Sequence, residues 1–459
     1  MKRAKKLYGL LGILAVICIA TFLVMGYQEK QEKIQESGQT VLEVDPDQVQ
    51  AISWEYEGQT LSFRKEEDTW KYEDDDAFPV NQEEIARMLE RFRELGAAFI
   101  IEDVTDYGQY GLDEPICTIK METGDQNYEI TLGDYSTMDS QRYLSLGDGN
   151  VYLVADDPLE DFDAVLSEMI QNDEVPDFEE VSAISFQGED SYQVTYQEYT
   201  EESPYTVCED DVYFKEDGEN LLPLDTTRVE SYLSSMTALD LTQYETYTAG
   251  EEDLAQYGLD APQLTVQVSY TQEDQEETFT LNLSRDPEQE PQEDEDPESI
   301  TAYAQVEGSA LVYKITGEEY QTLMKAGYDD LRHTRLFTAD TEKITGFEIT
   351  LDGESYTLTA KGEDNIFLTG EEEEELEGND LITALTALNL DSFTDQTADG
   401  QEEIRIKVLL DSEAHPSMEI VLYRYDGENC LAQVDGQTIG LLPRSQAVDL
   451  IEAVNALVL

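Results

Sequence analysis

One ten-residue motif occurs twice in this chain of 459 residues, and this repetition constrains the fold more than any other feature of the sequence. Residues 106–115 read DYGQYGLDEP and residues 253–262 read DLAQYGLDAP, so seven of the ten positions are identical at an offset of 147. Repetition at such a spacing indicates tandem copies of one structural unit. At roughly 150 residues per domain, the chain has room for about three such units.

The segments upstream of the two motifs match as well. After Asn81 and after Asp225, apolar residues follow the i, i+3, i+4, i+7 spacing of a helix that buries one face. Asn and Asp are good N-caps, and Glu84 is placed to complete a capping box in the first copy. The predicted apolar faces consist of Ile85, Met88, Leu89, Phe92 and Leu95, and of Val229, Tyr232, Leu233, Met236 and Leu239.

A third copy is fainter. Residues 344–351 and 355–359 alternate like the strand pair 52–56 and 60–64 of the first copy, although the Tyr-Gly-Leu-Asp motif is missing. All three copies end in a hairpin with an acid–Gly turn, in which Gly adopts positive φ without steric cost. The predicted fold class is α+β: an N-terminal transmembrane helix followed by three tandem repeats of a mostly antiparallel sheet, with amphipathic helices packed on one face.

The transmembrane helix is predicted from residues 7–25, which contain no charge and would span roughly 28 Å as a helix. Four bases precede them, which places the N-terminus in the cytoplasm and the rest outside, as a single-pass cell-membrane protein. A cleaved signal peptide and a lipoprotein are the alternatives, but the apolar core is long, Gly26-Tyr27-Gln28 is a poor cleavage site, and Ile17 precedes Cys18. The predicted parts are a cytoplasmic N-terminus (1–6), the anchor (7–25), a polar stalk (26–44), repeat 1 (45–175), repeat 2 (176–340) and a divergent repeat 3 (341–459).

Charge excludes one broad class of function. The chain has 104 acidic and 27 basic residues, and residues 34–459 alone carry a formal charge of −81 from 102 acids and 21 bases. Such a surface repels phosphate backbones, so nucleic acid is excluded as a partner. An acidic insertion in repeat 2 at residues 285–299 has three prolines and is predicted to be disordered.

The repeated motif supplies the candidate site residues. In a structural interpretation, the Tyr and Leu pack on the sheet, the Gly takes a left-handed turn, the Asp accepts backbone N–H bonds and the Pro precedes the next strand. In a functional interpretation, the aromatic ring and the carboxylate form a ligand lip. The structural role is favoured because both copies keep the apolar Leu. These residues are Tyr110, Gly111, Leu112, Asp113 and Pro115, and Tyr257, Gly258, Leu259, Asp260 and Pro262.

Motifs for catalysis, cofactors and metals are lacking in the sequence. It has no Gly-rich phosphate loop, no Gly-x-Ser-x-Gly and no His-Glu-x-x-His. Its two histidines, His333 and His415, are interpreted as polar surface or turn positions. Cys117, Cys208 and Cys430 are interpreted as small buried hydrophobes, with one disulfide left open. We therefore predict no catalytic residue, no cofactor and no metal ligand.

The strand pair before Trp70, the helix start at 79–81 and the Tyr110-Gly-Leu-Asp-x-Pro115 turn together resemble the bacterial domain-of-unknown-function family 4340. The resemblance implies a cell-envelope protein, and some members resemble companions of gliding-motility-type ABC exporters. It implies no catalytic residue.

The predicted function is therefore a non-enzymatic extracytoplasmic interaction protein with an envelope or membrane protein partner, as an accessory of an ABC-type export system. The alternatives are a glycan- or peptide-binding envelope protein, or a carboxylate-dependent hydrolase.

Overall fold

The computed structural model describes residues 38–292, 295–362, 365–369, 374–397 and 400–458. The chain divides into two compact units, the first ending at Asn172 and the second beginning at Asp173. The first unit contains repeat 1. The second contains repeats 2 and 3.

Repeat 1 is one eight-stranded antiparallel sheet with a small two-stranded sheet beside it. Its helices are α1 (Gln82–Glu90) and the short α2 (Leu159–Phe162), with 3-10 turns at Pro46–Gln48, Gly108–Tyr110 and Leu166–Glu168. Its strands are β1 (Gln39–Leu42), β2 (Val49–Tyr56), β3 (Gln59–Glu66), β4 (Thr69–Tyr72), β5 (Leu95–Ala97), β6 (Phe99–Ile101), β7 (Cys117–Thr123), β8 (Asn127–Ser136), β9 (Gln141–Ser145) and β10 (Val151–Val154).

Repeat 2 is a nine-stranded antiparallel sheet. Its helices are α3 (Thr226–Thr237), α4 (Gly317–Leu323) and α5 (Tyr328–Leu331), with 3-10 turns at Leu254–Tyr257 and Pro297–Ser299. Its strands are β11 (Glu180–Gln187), β12 (Tyr192–Tyr196), β13 (Tyr213–Asp217), β14 (Asn220–Pro223), β15 (Tyr244–Thr246), β16 (Leu264–Gln272), β17 (Gln275–Arg285), β18 (Ala302–Val306) and β19 (Val312–Ile315).

Repeat 3 is a second nine-stranded antiparallel sheet. A 3-10 turn at Thr341–Lys343 precedes it, and its helices are α6 (Asn379–Thr386) and α7 (Arg444–Val458). Its strands are β20 (Ile344–Leu351), β21 (Glu354–Ala360), β22 (Ile366–Thr369), β23 (Glu374–Glu377), β24 (Ser392–Phe393), β25 (Glu402–Leu410), β26 (Ser417–Arg424), β27 (Asn429–Val434) and β28 (Gln437–Pro443).

The three large sheets share one strand order, except that repeat 1 lacks the outermost strand that β14 and β23 form in the other two. They run β4-β3-β2-β7-β8-β9-β10-β6, β14-β13-β12-β11-β16-β17-β18-β19-β15 and β23-β22-β21-β20-β25-β26-β27-β28-β24. In each, the short strand that follows the helix crosses to the far edge and pairs with the last strand of the repeat. Shared strand order in all three copies is what duplication of one unit predicts, including the divergent third copy.

The predicted helices form, but both end before the last residues of their predicted faces: Phe92 follows α1, Leu95 lies in β5 and Leu239 follows α3. Ile85, Met88 and Leu89 of α1 are buried, and so are the predicted residues Val229 to Met236 of α3. The side chains of Asn81 and Asp225 cap these helices by accepting hydrogen bonds from backbone N–H groups of the first turn. The predicted capping box at Glu84 is wrong, because its carboxylate pairs with Arg87 while the Asn81 N–H is donated to the Met169 carbonyl.

The core of each repeat lies between its helices and one face of its sheet. In repeat 3, Leu381 and Leu385 of α6 and Leu450 and Val454 of α7 pack on the strand residues around Phe347. In repeat 1, Trp54 stacks on Phe63 at 5.5 Å between ring centroids and meets the edge of Phe162. Cys117, Cys208 and Cys430 are buried free thiols.

The predicted fold class needs a correction at its N-terminal part. Residues 7–25 lie outside the described residues. Among the described residues, no helix is long and apolar enough to cross a membrane. The described residues support an α+β fold of three tandem sheet repeats. The described residues therefore do not support the predicted transmembrane helix, the cytoplasmic N-terminus at residues 1–6 or the single-pass cell-membrane localisation.

The repeats begin earlier in the chain than predicted. Strand β1 lies within the predicted polar stalk 26–44, pairs with β5, and is followed by the buried Val44. In repeat 3, the segment 334–336 pairs likewise with residues 388–390, through Leu336 N–H to the Leu388 carbonyl (3.0 Å) and Leu390 N–H to the Thr334 carbonyl (2.8 Å). We call these two segments, 39–42 and 334–336, the lead-in segments.

The acidic insertion 285–299 makes defined contacts at its described residues. The Arg285 guanidinium is buried and pairs with the Glu295 carboxylate. The Gln289 side chain bonds both the Thr301 N–H and the Ser299 carbonyl. The described residues of the insertion are therefore ordered, contrary to the prediction. The buried Arg285 guanidinium fixes one end of the insertion.

Candidate functional site

The two copies of the repeated motif adopt the same conformation. Each forms a short 3-10 turn that ends at a left-handed glycine, with φ of 69° at Gly111 and 71° at Gly258. Leu112 and Leu259 are buried beneath the turns. Asp113 and Asp260 are exposed, and Asp113 accepts the Glu114 N–H at 3.1 Å. Pro115 is exposed and Pro262 is half-buried, each just before the next strand.

Each motif tyrosine packs on a ring of the neighbouring sheet. Tyr110 lies 4.9 Å from Tyr143 of β9 between ring centroids, and Tyr257 lies 5.0 Å from Tyr303 of β18. Both motif tyrosines are half-buried, which leaves part of each ring accessible. The structural interpretation therefore accounts for the Gly and the Leu, while the Tyr remains available for contact with a ligand.

Close backbone approach explains the glycines around the first turn. β8 has a bulge between Leu132 and Tyr135. A Cβ atom on Gly133 of this bulge would lie 2.1 Å from the Tyr110 carbonyl oxygen. A Cβ on Gly111 would lie 2.7 Å from the Asp134 carboxylate and 2.9 Å from the Asp134 backbone nitrogen. The turn is thus seated directly on the bulged strand.

Replacing Gly111 by alanine is expected to destabilise repeat 1 by roughly 1–3 kcal/mol, because positive φ and a close contact act together. Gly58 is the matched control, since it also has positive φ (77°) but a Cβ there meets no atom within 4 Å. Gly58→Ala should therefore cost only about 1 kcal/mol. Urea unfolding of the two variants measures the difference, and equal costs would show that the turn is not tightly seated.

In repeat 1 the motif tyrosine extends a row of apolar side chains across the sheet. Leu153 of β10 lies directly opposite Tyr143 of β9 on one side and Phe99 of β6 on the other. Directly opposite residues share one face of a sheet with their side chains in contact range. We call Tyr110, Tyr143, Leu153 and Phe99 the aromatic strip. It ends at Phe99, which is 63% exposed on the edge strand, whereas Leu153 beside it is only 7% exposed.

The other two repeats lack this strip. In repeat 2 the residue opposite Tyr303 is Lys314, a charged side chain in the place of Leu153. In repeat 3 the corresponding row is Leu431, Leu441 and Ser392, without an aromatic ring. The strip is therefore a feature of repeat 1 and not a consequence of the repeat fold.

A second candidate site lies in the second unit, where one loop of repeat 2 reaches repeat 3. Residues 198–211 form a loop between β12 and β13. A hydrogen bond from the Gln197 N–H to the Val212 carbonyl (2.8 Å) joins the two ends of this loop. We call these residues the crossing loop. Val207 at its tip is buried in the core of repeat 3, so the loop joins the two repeats.

Both histidines of the chain contact the crossing loop. His333 Nε2 lies 2.7 Å from Asp211 Oδ1, and His415 Nε2 lies 3.0 Å from the Ser203 carbonyl oxygen. The side chain of His333 is only 12% exposed and that of Asp211 only 1%. The interpretation of His333 as a surface or turn position is therefore wrong, and the interpretation of His415 misses its contact with the loop.

His333 is charged at neutral pH. Burial by itself lowers its pKa, but hydrogen bonding and attraction to Asp211 and Asp225 outweigh burial and raise the pKa from 6.5 to about 9. The Asp225 carboxylate lies 3.5 Å from Nδ1, which finds no well-directed hydrogen bond. This contact is therefore mainly electrostatic, and His333 lowers the pKa of Asp225.

The same cluster could in principle hold a metal ion or act as a nucleophile. Ligand atoms of Cys208, Asp211 and His333 lie within 4.8 Å of one another. However, the second carboxylate oxygen of Asp211 accepts a hydrogen bond from the Thr206 hydroxyl at 2.6 Å. Burial, with a contribution from Asp211, raises the pKa of the Cys208 thiol to about 12. A protonated, buried thiol is a poor ligand and a poor nucleophile, so the geometry is that of an ion pair that holds the crossing loop to His333, directly before the start of repeat 3.

The charge on His333 predicts how stability depends on pH. Because its pKa is raised in the folded state, its contribution is complete below about pH 6.5 and is lost as the pH rises through about 9. The free energy of unfolding should fall by up to about 3 kcal/mol over that window. Urea unfolding between pH 6 and 8 detects the slope before the buried thiols contribute, and His333→Asn should flatten it. An unchanged slope in that variant would contradict the assignment.

The fold and these sites define a protein of tandem antiparallel sheet repeats that displays an aromatic strip on its first repeat. The chain belongs to the family described as domain of unknown function DUF4340, whose model matches residues 70–206 and 216–406. The resemblance predicted from the sequence is thereby confirmed. No curated protein and no solved structure matches the chain.

Proposed function

We propose that this protein is a non-enzymatic interaction protein that binds a protein partner through the aromatic strip of repeat 1. The observation that carries the proposal is Phe99, a large apolar side chain that is 63% exposed at the end of the strip. Aromatic side chains bury a large apolar area, and they are enriched at protein interfaces.

The distribution of exposed apolar residues supports the same repeat. Among the described residues, seven large apolar side chains are exposed, and five of them lie in repeat 1. Of these five, only Phe99 belongs to the strip, so their distribution favours repeat 1 as the interacting repeat and does not define one patch. The five are Phe99, Ile116, Tyr135, Met138 and Val165.

The proposed partner is an envelope protein. The family resemblance implies one kind of envelope protein, a component of an ABC-type export system. The test introduces a photo-crosslinking amino acid at Phe99, Tyr110 or Tyr143 of the full chain in producing cells. We expect the same protein to be captured from all three positions, and purified samples of that protein to bind the chain. Met138, which is 91% exposed outside the strip, is the control position. Capture of the same proteins from position 138 would contradict the proposal.

Glycan binding is a second candidate function, and one specific observation favours it. One face of the central strands of repeat 2 carries hydroxyl and amide groups, with the half-buried Thr265 bonded to Asn282 at 2.7 Å and Gln267 bonded to the buried Thr280 at 3.3 Å. In a chain with 104 acidic residues, carboxylate-free cross-strand pairs suit a neutral, hydroxyl-rich ligand. Electrophoresis through a gel containing a neutral polysaccharide tests this function. Retardation that Asn282→Asp abolishes would support it, and unretarded migration would exclude it.

A further inference from the structure

A cleft lies in repeat 2 between the helix α3 and the segment that precedes β11. Its volume is about 570 Å³, which falls within the range of clefts that bind small organic molecules. Val181 of β11, Tyr213 of β13 and Leu233 of α3 line the cleft, and all three are buried. The cleft therefore has a floor of apolar and aromatic side chains, unlike most of the surface of this acidic chain.

The hydroxyl of Tyr213 is a polar group of this floor that the protein leaves unpaired. The residue is only 7% exposed, and among the described residues no group forms a hydrogen bond with its hydroxyl. Burial and the nearby charge of Glu230 raise the pKa of the hydroxyl to about 12, so it stays protonated at neutral pH. It can donate and accept a hydrogen bond, and a ligand in the cleft can supply the missing partner.

The mouth of the cleft determines which charge such a ligand carries. The exposed carboxylates of Asp177, Glu179 and Glu230 line the mouth, and no described residue that lines the cleft is basic. Carboxylates are frequent throughout this chain, so their charge alone does not mark a binding site. Here, however, the charge of Glu230 acts on the same hydroxyl that lacks a partner. One ammonium group can therefore pair with both, whereas an anion would meet like charges.

The segment beside the cleft differs from its counterparts in the other repeats. Asp45 and Asp340 stand at the matching position before β2 and β20, and each caps a 3-10 turn. Residues 177–179 form no such turn. Phe178 of this segment packs instead on Tyr270, at 5.3 Å between ring centroids. The wall of the cleft is thus a feature of repeat 2 and not of the repeat fold.

We propose that this cleft of repeat 2 binds a small organic amine that carries an apolar ring or chain. The apolar part lies on Val181 and Leu233, and the ammonium group pairs with the Glu230 carboxylate and the Tyr213 hydroxyl oxygen. The inference goes beyond the proposed function, since it concerns a different repeat and a different class of ligand. The crosslinking experiment on the aromatic strip therefore neither supports nor contradicts it.

Isothermal titration calorimetry of the full chain with phenethylamine tests the proposal, at an ionic strength of about 0.15 M that screens diffuse attraction. We expect saturable binding of one molecule per chain. Phenethyl alcohol and hydrocinnamate have a similar ring and chain without the positive charge, and each should bind at least about tenfold more weakly. Methylamine has the charge without the ring, and it should not bind measurably.

Single substitutions test the residues. Tyr213→Phe removes only the hydroxyl and Glu230→Gln only a surface charge, so each should weaken binding by about tenfold through loss of one charge-assisted hydrogen bond. Ser234→Trp places a large ring at the exposed mouth of the cleft and should abolish binding. Tyr270→Phe is the matched control, since Tyr270 is also 7% exposed but does not line the cleft. Unchanged thermal unfolding shows that a variant is folded.

Three results would overturn the proposal. Equal binding of methylamine would mean that diffuse charge alone attracts the probe. Equal binding of phenethyl alcohol would mean that the cleft is apolar and selects no cation. Full binding of phenethylamine by both Tyr213→Phe and Ser234→Trp would place the amine elsewhere on the chain.

Discussion

Replacing His333 by alanine is expected to lower the free energy of unfolding of the second unit by about 3–5 kcal/mol, because removal of one partner leaves a buried charge unpaired. Asp211 would be that charge, with a side chain only 1% exposed. The crossing loop should then detach from repeat 3. Hydrogen exchange of the full chain measures this effect, with loss of protection at Cys208, whose N–H bonds the Thr206 hydroxyl at 3.0 Å.

His415 provides the matched control, because it is the other histidine and contacts the same loop. His415→Ala removes one hydrogen bond to the Ser203 carbonyl and should cost only about 1 kcal/mol. Adding Asp211→Asn to His333→Ala should recover part of the lost stability, since the unpaired charge is then gone. Equal effects of the two histidine variants, or no recovery, would show that the ion pair does not hold the loop.

Replacing Arg142 by alanine is expected to destabilise the first unit by a similar amount, about 3–5 kcal/mol. Its guanidinium is 8% exposed, lies 2.6 Å from the Asp157 carboxylate, which is 9% exposed, and donates to the Gly133 carbonyl at 2.7 Å. Because Gly133 supports the motif turn, we also expect faster hydrogen exchange at the Leu112 N–H, which bonds the Tyr107 carbonyl.

An exposed ion pair of the same unit serves as the comparison for Arg142. Lys120 and Glu129 lie 3.8 Å apart with side chains 58% and 64% exposed. Solvent screens such a pair, so Lys120→Ala should change the free energy of unfolding by less than about 1 kcal/mol. Urea unfolding that gave similar losses for the two variants would contradict the role of the buried arginine.

The parts of the fold that local pattern encodes are predictable from the sequence. The helix faces at Ile85 and Val229 follow from a 3.6-residue period, and the left-handed turns at Gly111 and Gly258 follow from a repeated glycine beside a buried leucine. These features depend on residues within about two turns of one another. No knowledge of the strand order is needed to predict them.

The two candidate sites depend on contacts that local pattern does not encode. His333 meets Asp211 across 122 positions of sequence, and nothing near either residue indicates the other. Phe99 joins the aromatic strip only because β6 crosses to the far edge beside β10.

The lead-in segments change where the ends of the ancestral duplicated gene segment must be placed. Residues 39–42 pair with 95–97, and residues 334–336 pair with 388–390, so repeats 1 and 3 each carry at their start the segment that pairs with their own middle. A breakpoint just before β2 or β20 would have separated that strand from its copy. A copy inherited together with its lead-in segment keeps this strand pairing wherever it is inserted. Recombination upstream of residues 39 and 334 therefore preserves the pairing, whereas recombination downstream of the lead-in segment would disrupt it.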